Sequence, residues 1–271
     1  SLTARWEGLL LAPVLGRWSM SLAIVACPYA RPDGLGRVKL RFPWKDDADE
    51  STWARIATLM AGKDRGSWFL PEVGDEVLVA FEHGDVQHPY VLGALWNGVD
   101  TPPESNSDGQ NNIRKIKSRS GHEVILDDKS GAEKVTIKSQ SGHSITLDDA
   151  PGAGKIEIKT TGGHSITLDD TPGSGKIELK TTGGVKATLL DVPPSLTVQD
   201  ASGNSTKLEP SGVTVNAAAK VTINAAAVEI TGGMVTVNAG MTTFSGVIQA
   251  QTVIATSVVS ASYTPGAGNI W

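Results

Sequence analysis

Three histidines recur at a fixed distance along the chain. His122, His143 and His164 each follow a glycine, and each opens a run that ends in paired carboxylates. The runs are Gly121-His-Glu-Val-Ile-Leu-Asp-Asp128, Gly142-His-Ser-Ile-Thr-Leu-Asp-Asp149 and Gly163-His-Ser-Ile-Thr-Leu-Asp-Asp170. Imidazoles gathered into a ring could hold a metal or an anion. Paired carboxylates could do the acid–base work of glycoside cleavage. Strand geometry argues against the second chemistry. Adjacent residues on a strand point to opposite faces, so Asp127/Asp128, Asp148/Asp149 and Asp169/Asp170 cannot converge on one bond. Their place before Gly- and Pro-containing turns reads as turn formation. The glycine-rich nonapeptide of calcium-binding β-rolls is absent. For the histidines, His143 shares parity with Ile145 and Leu147, and a degenerate fourth copy beginning at Gly184 carries Val185 in the same slot. A valine there suggests that the slot faces inward. In a three-chain assembly His122, His143 and His164 would then stack as internal rings, either hydrogen-bonded structural rings or an ion site. No catalytic residue and no cofactor is assigned.

The elements that position these residues are repeats. The copies are spaced 142 − 121 = 21 and 163 − 142 = 21 residues apart. Each carries a second strand: Lys134-Val-Thr-Ile-Lys138, Lys155-Ile-Glu-Ile-Lys159, Lys176-Ile-Glu-Leu-Lys180, then Ser195-Leu-Thr-Val-Gln199. Further on, Val213/Val215, Val221/Ile223, Val228/Ile230 and Val235/Val237 step by 8, 7 and 7 residues. Short strands at a fixed period predict a solenoid. Each strand offers only two inward apolar residues, such as Ile156 and Ile158, while Lys155, Glu157 and Lys159 face solvent. Such a pattern is too thin for a one-chain coil. It suits a prism in which three chains each supply one wall, with backbone pairing between chains removing free edges.

Composition supports the division into a globular and a repetitive part. The chain has 271 residues, seven Trp, four Phe and three Tyr, and between Gly98 and Tyr263 the only aromatic is Phe244. A formal net charge of −5 argues against a protein held to nucleic acid by a basic footprint. The single Cys27 excludes an intrachain disulfide framework and a cysteine-built zinc site. Leu9 to Cys27 is mostly apolar, but Arg17 interrupts it and Pro13 and Gly16 break it, so it is too short to span a membrane. Ile24-Val-Ala-Cys27 resembles a lipoprotein cleavage box and reads instead as the end of a strand beginning at Trp18; Glu7 stands where a signal peptide is basic.

The globular part reads as about five strands without helical periodicity, the pattern of a small OB-type barrel. In Gly36-Arg-Val-Lys-Leu-Arg-Phe42, Val38, Leu40 and Phe42 alternate with Arg37, Lys39 and Arg41, and Pro43 ends the run. Trp53–Thr58, Glu76–Phe81 and Tyr90–Trp96 supply further strands. The Arg37/Lys39/Arg41 stripe could contact phosphates, but Asp46, Asp47, Asp49 and Glu50 follow at once and oppose a nucleic-acid backbone.

Several of these segments resemble the OB domain of VgrG and phage baseplate spike proteins, in the same order. They are Asp33-Gly-Leu-Gly-Arg-Val-Lys-Leu-Arg-Phe-Pro-Trp44, Trp53-Ala-Arg-Ile-Ala-Thr58, the stretch from Gly66 to Asp85, and Pro89-Tyr-Val-Leu-Gly-Ala-Leu-Trp-Asn-Gly98. The resemblance implies an all-β protein with an N-terminal OB-fold barrel and a C-terminal triple-stranded, intertwined β-helix. It implies a homotrimeric central spike of a contractile injection machine: a phage tail, an extracellular injection system or a type VI system. Such a spike is made in the bacterial cytoplasm, is not an integral membrane protein, and pierces a target envelope on transient contact. The expected divisions are 1–16 contacting a hub, 17–100 the OB domain, 101–117 a linker, 118–240 the needle and 241–271 its tip. VgrG chains carry a large hub region before the OB domain, whereas about sixteen residues precede it here, so the hub is expected either to be a separate protein or to have been cut off. Beyond Glu229 no side chain is charged, and Tyr263, Ile270 and Trp271 stand near the end. These three are the expected docking residues for a PAAR-type cap, although a chain that seals its own tip is the alternative. Tube and sheath are indirect partners. A β-solenoid that binds or cleaves carbohydrate is the competing function, and the repeats' lack of Trp and Tyr counts against it.

Overall fold

The computed structural model describes residues 21–29, of which only the backbone is considered, together with 35–42, 44 and 50–261. The chain divides into two units, Ser1–Ala219 and Lys220–Trp271. Pro32-Asp33-Gly34, the residues 1–16 and the tip residues Tyr263, Ile270 and Trp271 lie outside the described residues.

Five strands of the first unit close into a barrel. They are β1 (Ser21–Tyr29), β2 (Arg37–Arg41), β3 (Ala54–Ile56), β6 (Glu76–Phe81) and β7 (Pro89–Leu95), in the order β1-β2-β3-β7-β6. Ile24 to Cys27 therefore lies within β1. Closure comes from antiparallel pairing of β1 with β6, while β3 and β7 run parallel. The alternation of β2 is realised: Val38 and Leu40 are fully buried, and they pack with Phe42, Ala54, Val77, Val79, Phe81 and Val91 in one core. On the other face Lys39 pairs with Glu50 at 2.7 Å, so that stripe is partly neutralised by its own sheet. A hairpin the sequence does not announce, β4 (Ala61–Gly62) with β5 (Arg65–Gly66), projects between β3 and β6. Gly36 is held at φ +73° with Trp68 against it; a Cβ there would meet the indole at 3.2 Å.

The repeats form a second sheet of eleven strands in plain chain order. These are β8 (Ile113–Lys117), β9 (Glu123–Asp127), β10 (Lys134–Lys138), β11 (Ser144–Asp148), β12 (Lys155–Lys159), β13 (Ser165–Asp169), β14 (Lys176–Lys180), β15 (Lys186–Leu190), β16 (Ser195–Gln199), β17 (Ser205–Glu209) and β18 (Gly212–Asn216). The sheet thus begins at Ile113, inside the stretch read as a linker. Its ladder is antiparallel and runs wholly within one chain, each strand pairing with its sequence neighbours. That differs from the expectation that wall strands pair between chains; here a tight turn every few residues makes the next strand of the same chain the nearest partner. Gly121, Gly142, Gly163 and Gly184 occupy one turn position with φ of 93°, 95°, 88° and 84°, a region that disfavours side chains. Arg119 in the first such turn reaches Glu72 of the barrel's 71–75 turn at 2.8 Å.

The second unit behaves differently. Among its described residues, 220–261, there is no strand, and bends interrupt the chain at intervals.

Candidate functional site

The sheet's register sorts its side chains into two faces. Residues paired directly across an antiparallel ladder share a face. Ile137, Ile145, Ile158, Ile166 and Leu179 follow one another in this way, and so do Val135, Leu147, Ile156, Leu168, Ile177 and Leu189. Two continuous apolar columns therefore run down one face. The opposite face carries Thr136, Thr146, Glu157, Thr167, Glu178 and Thr188 in its centre. Along one margin of that face Asp127, Lys134, Asp148, Lys155, Asp169 and Lys176 alternate in sign, so that each carboxylate lies across from an ammonium.

The apolar columns lack cover within one chain. Ile156 and Ile158 remain 38% and 40% exposed in mid-sheet, whereas Val38 and Leu40 of the barrel are at 0%. A sheet face gains its hydrophobic stabilisation only when a second layer packs about 10 Å away. The polar face is the better covered: Glu157 is 3.2 Å from Lys159, and Lys186 is 2.8 Å from Glu178. That contact is the main reason the Glu178 carboxyl is held below its ordinary value.

The paired aspartates act as the turn reading expects. Asp127, Asp148 and Asp169 each accept the backbone N–H two residues on, at 3.1, 3.1 and 3.0 Å. The Thr171 hydroxyl and N–H together hold Asp169 below its ordinary range. Asp128 instead pairs with Arg114 at 2.9 Å.

The histidines sit in the turns before their strands and are exposed in the single chain. Ser139 N–H donates to the carbonyl of His143, Thr160 to that of His164 and Thr181 to that of Val185, so the turn closes alike with either side chain. The imidazoles bond onward: Nδ1 of His122 accepts the N–H of Gln140 and Nδ1 of His143 that of Thr161, both at 3.2 Å. One chain does not gather the three rings, and among the described residues no group of three His, Cys, Asp or Glu could hold a metal. Nor is any described helix long and apolar enough to cross a membrane.

This barrel followed by a one-sided repeat sheet has relatives. Residues 22–96 match the family described as type VI secretion system/phage-baseplate injector OB domain, and residues 176–243 match the phage baseplate V C-terminal trimerisation domain. The chain belongs to the phage baseplate V/VgrG family. It is 34% identical over 116 residues to the type VI secretion system spike protein VgrG1a of Pseudomonas aeruginosa, covering 39% of this chain and 18% of that protein. It is 31% identical over 113 residues to the spike protein VgrG3 of Vibrio cholerae, covering 39% and 11%. The chain thus spans less than a fifth of the length of these relatives. In this baseplate V/VgrG-type chain the trimerisation match begins at Lys176, the first residue of β14, and so takes in both the lower sheet and the start of the strandless segment.

Proposed function

We propose that the chain is the trimeric central spike of a contractile injection machine. Three copies bring their apolar columns together around one axis, docking by the barrel end on a hub and driving the assembly through a target envelope. The observation that carries this reading is the pair of uninterrupted apolar columns, from Val135 and Ile137 to Leu189 and Ala187, uncovered within one chain. The match of residues 176–243 to a trimerisation domain supports a second and third copy as the cover. The work of such a spike is rigidity and docking, which calls on no catalytic residue. A hub at the barrel end, a PAAR-type cap held by Tyr263, Ile270 and Trp271, and indirectly tube and sheath are its proposed partners. The phage tail, the extracellular injector and the type VI machine all suit this architecture. It would be made in the bacterial cytoplasm and act in the assembled particle. Residues 113–216 contain no Trp, Tyr or Phe on which a sugar could stack, so the carbohydrate reading gains nothing.

Mass in solution is the test. A trimer of about 85 kDa, from 3 × 28.3 kDa, is expected at micromolar concentration and resistant to SDS. A monomer by light scattering overturns the reading.

A further inference from the structure

We infer that copies of the chain join edge to edge through histidine–aspartate contacts, His143 and His164 of one copy meeting Asp149 and Asp170 of the next. The inference rests on the three-chain reading above and supplies the joints between its walls.

The ladder runs one residue beyond each end of β11 and β13. The N–H of Ser139 donates to the carbonyl of His143 at 2.8 Å, and that of Asp149 to the carbonyl of Glu133 at 2.9 Å. Both bonds continue the β10–β11 register, in which Lys138 faces Ser144 and Lys134 faces Asp148. Thr160 with His164 and Asp170 with Gly154 continue the β12–β13 register in the same way. Alternation then puts His143, Ile145, Leu147 and Asp149 on the apolar face of one strand, and His164, Ile166, Leu168 and Asp170 on that of another. Each such strand has an imidazole at one edge of the sheet and a carboxylate at the other. In the fourth copy Val185 and Asp191 hold the two ends.

Neither group is engaged within the chain. Nδ1 of His143 accepts from Thr161, which leaves the donor of the neutral ring on Nε2. Among the described residues that donor has no partner, and the carboxylates of Asp149 and Asp170 make no hydrogen bond or ion pair. Asp128 differs, being held already by Arg114. His143 and Asp149 cannot meet in one copy, because six extended steps separate them, about 20 Å.

Symmetry brings them together. Identical copies that close a ring do so by heterologous contact, one edge of each against the opposite edge of the next. Rotation about an axis along the apolar columns keeps every strand at its own level. The Asp149 carboxylate of one copy then reaches the Nε2–H of His143 in the next, a charge-assisted bond made three times around the ring. Charge along the whole edge favours the same closure. Between 134 and 191 the carboxylate edge holds five Asp and three Lys, and the imidazole edge holds four Lys and no carboxylate. A copy inverted end for end would set like edges together, and like charges oppose that arrangement.

The experiment uses the full chain. Native mass comes first: a monomer overturns the spike reading and this inference with it. On a trimer, His143→Cys combined with Asp149→Cys is treated with a short bismaleimide, too short to cross the sheet from edge to edge. Denaturing mass spectrometry should show covalently linked trimer for the double variant and none for either single variant, which control for Cys27. His143→Cys with Asp191→Cys, four strands and about 19 Å out of level, should stay unlinked. A trimer whose 143/149 pair links no better than 143/191 overturns the joints and leaves the spike reading standing. A second pair of variants decides the matter even where the cysteine chains fail to assemble. Asp149→Ala and Asp191→Ala remove the same group, opposite His143 in one case and Val185 in the other. The first should lower the melting temperature of the trimer by about 2 °C or more and the second by less than half as much. Equal shifts overturn the inference.

Discussion

The imidazole Nδ1 of His143 accepts the backbone N–H of Thr161 at 3.2 Å, tying the turn of one repeat to the turn of the next. For Nδ1 to accept, the neutral ring must carry its proton on Nε2. His122 does the same to Gln140. In these two copies the histidine is therefore a stitch between successive turns, and the fourth copy closes the same backbone turn with Val185 in the slot.

His143→Val should accordingly be tolerated. The lost hydrogen bond is worth about 1 kcal/mol, and the melting temperature should fall by about 2–4 °C. Metal analysis accompanies the melt. A metal present in the wild type and lost in the variant would show that the slot is an ion site instead.

Ile156 lies in an apolar column between Leu147 and Leu168, and Glu157 lies on the opposite face between Thr146 and Thr167. In the three-chain spike, Ile156→Asp places three carboxylates in a dry interior at several kcal/mol each. That variant should fail to assemble by size-exclusion chromatography. Glu157→Lys should assemble as wild type. Equal behaviour of the two would mean that the faces are assigned the wrong way round.

Asp169 titrates below its ordinary value of 3.8, chiefly because the Thr171 side chain donates to it and next because the Thr171 N–H does. A folded-state pKa depressed in this way contributes stability that is fully present above the unfolded value, near pH 4, and is lost as pH falls through the native one. Thr171→Val removes the hydroxyl donor. The wild type should melt higher than the variant at pH 7, and the gap should close on titration below pH 4. A gap that stayed constant from pH 7 to pH 2 would assign the effect to packing.

Deleting Tyr263–Trp271 should leave the trimer folded, since the apolar columns lie upstream, and should abolish capture of a cap protein encoded nearby. Trp and Tyr are the residues most often found as interface anchors. Unchanged capture by the truncated spike would refute the docking role of this segment and favour a chain that seals itself.

What could be read from residues alone followed from alternation. Val38-Lys39-Leu40 and Ile156-Glu157-Ile158 each announce a face, and β6, β10, β12, β14 and β16 have the bounds their patterns suggest. Alternation says which side a residue faces and nothing about which strand lies beside it. The intrachain ladder, decided by turns such as Ser139 to Gly142, was therefore not legible. The β4–β5 hairpin escaped because two-residue strands carry no period. Ile113–Lys117 reads as a charged linker until Lys117 is seen opposite Glu123, where the two side chains approach to 3.4 Å. The histidine acceptors were missed as well, because the sequence put the imidazole parity with the apolar face and carries no signal for a bond reaching 18 residues onward.

The intrachain meander also makes length a quantised property. One 21-residue copy contributes two strands, such as β11 and β12, and so restores the chain's direction along with both columns. With strands about 4.8 Å apart, deleting or duplicating a copy would change the sheet by about 9.6 Å and re-register nothing. Such a sheet is a ruler that recombination between near-identical repeats can recut in whole divisions, and in the proposed spike that would match reach to the thickness of whatever is crossed.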